Sequence, residues 1–161
     1  MDIEIRNPWH PDDAKHYTTD RMRNDFLIQD LFIPDKVKLV YSHVDRIIVG
    51  GVCPSEKVLT LEAGHELGVD YFLERRELGV INIGGPGTVI LDGEEYDLSY
   101  KDGLYAGMGI KEVSFKSDDP ANPAKFYLNS APAHHTYPTL KITMEMANKR
   151  PLGSVEGCNK R

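Results

Sequence analysis

Cysteine is nearly absent from this chain: Cys53 and Cys158 are the only two in 161 residues, and they lie far apart. That excludes a disulfide framework and a thiolate metal site. Long apolar runs are missing as well. None approaches the ~18 residues of a membrane-crossing helix, and the opening MDIEIRNPWHPDDAK has no apolar leader segment. Positive charge is in short supply: 19 Lys and Arg stand against 25 Asp and Glu, for a formal charge of −6. With no sizeable basic cluster, the surface offers no footprint for nucleic acid or an anionic membrane. Six histidines are present (His10, His16, His43, His65, His134 and His135), none paired at His-x-His spacing on a strand. A zinc site, which needs about three protein ligands, is therefore not expected here. These absences predict a cytoplasmic globule with neither nucleic-acid nor membrane partners.

What the chain does contain is a short, β-like rhythm. Strand candidates are Val37–Tyr41, Arg46–Val52, Lys57–Glu62, Tyr71–Glu74, Gly79–Ile83, Thr88–Leu91, Glu95–Leu98, Leu104–Ala106, Glu112–Phe115 and Lys125–Asn129. Each is rich in Val, Ile, Leu, Tyr or Phe, and Gly, Pro, Asp or Asn closes it. Asp92-Gly93 is the strongest hairpin signal, because a type I′ turn needs positive φ at both central residues. Gly84-Gly85-Pro86-Gly87 reads as a second tight reversal. Strands this short and this regular predict an all-β barrel or sandwich with one or two short helices. One helix is expected after Thr18 and Thr19, with Met22 and Phe26 on one face, and another over Met144–Lys149 capped by Thr143. From Pro151 to Arg161 the composition is that of a linker.

The chemical motifs are sparse. Gly85-Pro86-Gly87 has no third glycine at position 90 and no following helix, so a dinucleotide site is not expected. His65-Glu66 lacks the second histidine of a zincin. Glu74-Arg75-Arg76-Glu77 is harder to dismiss. On a strand, Glu74 and Arg76 would share one face and Arg75 and Glu77 the other. The favoured reading is an ion-pair cluster in a subunit interface or at a barrel end; the alternative is that one pair points into a pocket, where arginine grips a carboxylate with two parallel hydrogen bonds. His134 and His135 should point apart, with a single buried histidine bonded to backbone as the favoured reading. His43, beside Asp45 and Arg46, sits on or just before a strand and reads as structurally satisfied.

Several long words carry a resemblance: Leu39–Val52 (LVYSHVDRIIVGGV), Leu67–Val89 (LGVDYFLERRELGVINIGGPGTV), Leu91–Leu98 (LDGEEYDL), Lys111–Phe115 (KEVSF) and Pro123–Thr139 (PAKFYLNSAPAHHTYPT). In these the chain resembles the N-terminal half of the 5-keto-4-deoxyuronate isomerase family of pectin and uronate breakdown. The resemblance implies an all-β, cupin-like barrel (jelly roll) at 25–140. Residues 1–24 would form an N-terminal segment with a short helix, and 141–161 a short helix and linker toward an absent second cupin. It implies interconversion of 5-dehydro-4-deoxy-D-glucuronate and 3-deoxy-D-glycero-2,5-hexodiulosonate in an oligomer. The family's zinc, held by three histidines and a glutamate, would belong to the second cupin, and no ligand carries over here. The chain alone is thus expected to be inactive and metal-free. Self-association is expected through a face that otherwise meets the second cupin. Arg46, Arg75 and Arg76 are the candidate partners of the substrate's carboxylate. The alternative is a non-catalytic cupin acting as an oligomerisation or uronate-binding module.

Overall fold

The computed structural model describes residues 2–148 and 150–160. The strands, in chain order, are β1 (Asp2–Arg6), β2 (Val37–Ser42), β3 (Ile48–Val52), β4 (Leu59–Thr60), β5 (Arg76–Asn82) and β6 (Gly87–Leu91). They continue with β7 (Glu94–Leu98), β8 (Gly103–Ala106), β9 (Val113–Ser117), β10 (Phe126–Pro132) and β11 (Leu140–Ile142). Two helices, α1 (Pro11–Ala14) and α2 (Thr19–Phe26), precede β2.

The pairing is nested. β6 pairs with β7, β5 with β8, β4 with β9 and β3 with β10, all antiparallel. One long hairpin, with its tip at Asp92-Gly93, has thus been folded over on itself. Cross-pairs β5–β10 and β6–β9 then knit it into two sheets, ordered β1-β2-β3-β10-β5-β8-β11 and β4-β9-β6-β7. This is the double-sheet jelly roll of cupin-like proteins. The sheets face each other as a sandwich and are not hydrogen-bonded into a closed ring. At the hairpin tip, Asp92 and Gly93 have φ of 47° and 89°, the positive values that a type I′ turn demands.

Alternation along the strands builds the core. Leu39, Ile48, Leu78, Val80, Leu104, Phe126 and Leu128 from the larger sheet meet Val89, Leu91, Leu98, Val113 and Phe115 from the smaller. Phe115 and Phe126 touch across the gap at a centroid distance of 5.3 Å. Three polar residues occupy inward steps of the same alternation: Arg76 and Asn82 on β5, and Ser130 on β10. Asn82 is fully satisfied. Its Nδ2 donates to the carbonyls of Gly85 and Leu98, both at 2.8 Å, and its Oδ1 accepts from the amides of Gly84 (3.0 Å) and Lys125 (3.3 Å). The Gly84–Gly87 run is therefore a corner rather than a hairpin: β5 and β6 belong to different sheets, and Asn82 fastens the crossing.

Some expected elements differ. Tyr71–Glu74 forms turns, not a strand, and Lys57–Glu62 keeps only two strand residues. Glu74 and Arg75 precede β5, so the facing expected for the four-charge run holds only from Arg76 onward. Residues 144–146 form a turn, with the Met146 amide donating to the Thr143 carbonyl at 3.1 Å, instead of a helix; Lys149 lies outside the described residues. The helix after Thr18 is present, and the Thr18 hydroxyl accepts from the Arg21 amide at 3.3 Å. β1 was not anticipated. It pairs in parallel with β2, a contact spanning some thirty-six residues that no local pattern announces. Between α2 and β2 the chain crosses the outward face of the larger sheet. Gly51 allows this, since a Cβ there would collide with the Leu31 carbonyl. Among the described residues, no helix is long and apolar enough to cross a membrane.

Candidate functional site

At one end of the sandwich, strand ends and loops converge on a cleft of about 160 Å³. Tyr41 comes from β2, Arg46 from the turn joining β2 to β3, and Arg75 and Arg76 from the entry to β5. The remaining wall is apolar, from Leu67, Val69 and Pro132. The structure thus brings all three candidate arginines together, although Arg46 and Arg76 are thirty residues apart.

Their environments differ sharply. Arg76 is only 6% exposed, since it occupies an inward step of β5. Its Nε donates to Ser130 Oγ at 3.1 Å, and its Nη2 donates to the carbonyls of Ser130 (2.9 Å) and Arg46 (2.5 Å). Ser130 Oγ in turn donates to the Glu77 carbonyl at 2.7 Å, which fixes its orientation. The guanidinium carbon lies 5.6 Å from the centre of the Tyr41 ring. All these partners are neutral. Among the described residues, no carboxylate pairs with Arg76 or Arg46. Burial lowers the Arg76 pKa, and the neighbouring Arg46 charge adds to that shift against an opposing effect of Tyr41. Arg75 behaves oppositely. Its side chain is 76% exposed and pairs with Glu74 at 3.5 Å, while Glu74 also accepts from the Asp70 amide at 2.8 Å.

The sequence reading missed Tyr41 and Ser130. A signal existed for Ser130, because it continues the inward series Phe126, Leu128, Ser130 as a polar residue where an apolar one is expected. Tyr41 had no such signal. The histidine reading also needs correction. His134 and His135 are both exposed, in the loop after β10, so neither is a buried structural histidine. The reason is that the loop runs outside both sheets, with His135 6.5 Å from the Tyr137 ring. His43 packs edge-on against Tyr41 at 5.2 Å.

Comparison with known proteins adds the context. Residues 27–161 match the KduI/IolB family. The chain belongs to that family. It is 60% identical to the 4-deoxy-L-threo-5-hexosulose-uronate ketol-isomerase of Lachnospira eligens and 57% identical to that of Lachnoclostridium phytofermentans. The identity to the Yersinia pestis protein of the same name is 52%. Each alignment covers 99% of this chain but 58% of the relative, so the chain spans little more than half the length of these relatives. A cupin protein from Bacteroides fragilis overlays with a TM-score of 0.37 at 15% identity, covering 65% of this chain and 76% of that one.

The zinc that the resemblance implies for the KduI/IolB family does not fit this chain. Among the described residues, no group of three His, Cys, Asp or Glu side chains is placed to hold a metal ion. The six histidines are all exposed and scattered over loops, helix ends and turns. The cleft at the end of the sandwich carries guanidinium groups, which repel a divalent cation.

Proposed function

We propose that this chain is the metal-free part of a uronate ketol-isomerase, acting in the cytoplasm on 5-dehydro-4-deoxy-D-glucuronate and forming 3-deoxy-D-glycero-2,5-hexodiulosonate. The observation that carries the reading is identity of 52–60% along 99% of the chain to proteins named for that activity. The reaction is an internal proton shift: a C–H proton leaves the hydroxyl-bearing carbon beside a carbonyl, a proton returns at the former carbonyl carbon, and the hydroxyl proton passes to the former carbonyl oxygen, with no net oxidation. The family's zinc ligands we assign to the part of the relatives that this chain does not span. The proton shift itself we leave to groups outside this chain.

The same reading has the chain self-associating through the outward face of the larger sheet. There Ile81, Leu140, Ile142 and Tyr137 are all more than two-fifths exposed. A shallow apolar groove of about 280 Å³, floored by Gly79 and Gly103, lies beside Tyr105 and Tyr127 on that face. A monodisperse monomer in sedimentation at high concentration counts against self-association. The central test is an assay of the tag-free chain on freshly prepared 5-keto-4-deoxyuronate, with elemental analysis of the same sample. No turnover and no stoichiometric zinc are expected; turnover, or one tightly held zinc per chain, refutes the assignment of chemistry elsewhere.

A further inference from the structure

Among the described residues, Arg76 is a buried cation without a counter-ion. Its Nε and Nη2 are spent on neutral oxygens. Its Nη1 has no hydrogen-bond partner among the described residues, yet no buried side-chain nitrogen or oxygen is left unpaired, so Nη1 opens to the cleft. Taking a guanidinium out of water without an opposing charge is costly, and a bound anion offsets that cost.

A second observation points the same way. The β2–β3 turn places Asp45 and Arg46 in the left-handed region, each at φ 54°. In the β6–β7 turn of the same molecule those two positions are Asp92 and Gly93, the unstrained choice. Arginine in place of glycine costs about 1 kcal/mol of backbone strain. That strain sets a guanidinium at the mouth of the cleft, and Arg76 clamps the turn through the Arg46 carbonyl. Strain held at a ligand clamp is a recurring trade.

The cleft's chemistry narrows the ligand. Its cations are guanidinium groups, whose planar fork suits the flat fork of a carboxylate. Leu67, Val69 and Pro132 in its walls carry no side-chain hydrogen-bonding group to read a sugar hydroxyl. Its volume of about 160 Å³ is below the ~300 Å³ at which pockets enclose whole small molecules.

We propose that this cleft is a carboxylate-binding site that takes the acid end of a uronate between Arg76, Arg46 and Arg75 and leaves the sugar body in solvent. The identity of the ligand as a uronate rests on the proposed function; the existence of the site does not. Recognition is end-on, so the site reads the carboxylate and not the stereochemistry of the ring.

The test is a nuclear magnetic resonance titration of the whole chain with D-galacturonate, with D-galactose as the neutral control and inorganic phosphate as the rival anion. Galacturonate is expected to shift the Arg76 Nε–H resonance saturably, with galactose inert and phosphate weaker. Arg46→Gly should relieve the turn, raising the midpoint of thermal unfolding, and weaken galacturonate binding at least about tenfold. That opposite movement of stability and binding separates a ligand clamp from a structural residue. Should Arg46→Gly not fold, Arg75→Gln, at a largely exposed side chain, carries the same expectation of weaker binding. An equal response to galactose, a preference for phosphate, or undiminished binding in the variant that folds overturns the proposal. Because the readout is binding by this chain, absent isomerase turnover leaves the result intact.

Discussion

Replacing Asn82 by leucine tests the claim that one amide fastens the crossing between the two sheets. Leucine has the same branched heavy-atom skeleton as asparagine, so the substitution removes the hydrogen bonds while keeping the side chain's shape. Four bonds are lost. The Gly85 and Leu98 carbonyls lose donors at 2.8 Å in a buried setting, and the Gly84 and Lys125 amides lose their acceptor at 3.0 and 3.3 Å. Stranding a buried polar group costs about 1–3 kcal/mol, and the two half-buried amides recover part of their loss from water, so the total is about 3–5 kcal/mol. At 2–4 °C per kcal/mol for a domain of this size, unfolding should shift down by roughly 6–20 °C. Urea unfolding should show the same loss through the midpoint with an unchanged slope. Asn82→Asp adds a sign. The carboxylate keeps both amide donors but faces two carbonyls, which raises its folded-state pKa above the unfolded value of about 3.9. The variant should therefore come closest to the parent below about pH 4 and fall away as pH rises through the folded value. A leucine variant within about 1 kcal/mol of the parent refutes the reasoning, because it means the corner holds without its amide.

Two further outcomes follow from local geometry. Asp35 Oδ1 accepts from the amides of Ser55 (2.9 Å), Glu56 (2.9 Å) and Lys57 (3.2 Å). These bonds, led by that of Ser55, lower its pKa against the opposing effect of burial. A carboxylate depressed in the folded state stabilises above its unfolded pKa of about 3.9, and that contribution is lost as pH falls through the folded value. Asp35→Ala should therefore flatten the acid-side loss of stability below about pH 4, and an unchanged acid limb in a pH series of thermal melts counts against it. Gly51→Ala should destabilise by about 1–3 kcal/mol by pushing the chain around Leu31 off the sheet; hydrogen exchange of residues 27–33 should accelerate, and unaltered protection there refutes the contact.

Much of the fold was legible because its signals are local. Asp92-Gly93 marked the hairpin tip, alternation marked the inner strands, and the Thr18 cap marked α2. Tyr71–Glu74 misled, because a short apolar run followed by charges looks like a strand whether or not a neighbour exists to pair with it. β1 carried a period-two pattern, Ile3 and Ile5 between charges, but its partner lies beyond two helices and a loop.

The site divides along the same line. Composition and motif spacing by themselves determined its chemical character: no His-x-His pair in the sequence, two adjacent arginines in a four-charge run, and strands enough for one sandwich. Only the tertiary structure decided that Arg46 meets Arg76, that Arg76 faces inward with no carboxylate partner among the described residues while Arg75 stays in water, and that Gly84–Gly87 turns a corner between sheets. The physical reason is range. Turn chemistry and alternation are fixed within a few residues, whereas burial and counter-ion pairing depend on which distant strands become neighbours, and at this site the pairing of β10 with β3 on one side and β5 on the other sets that.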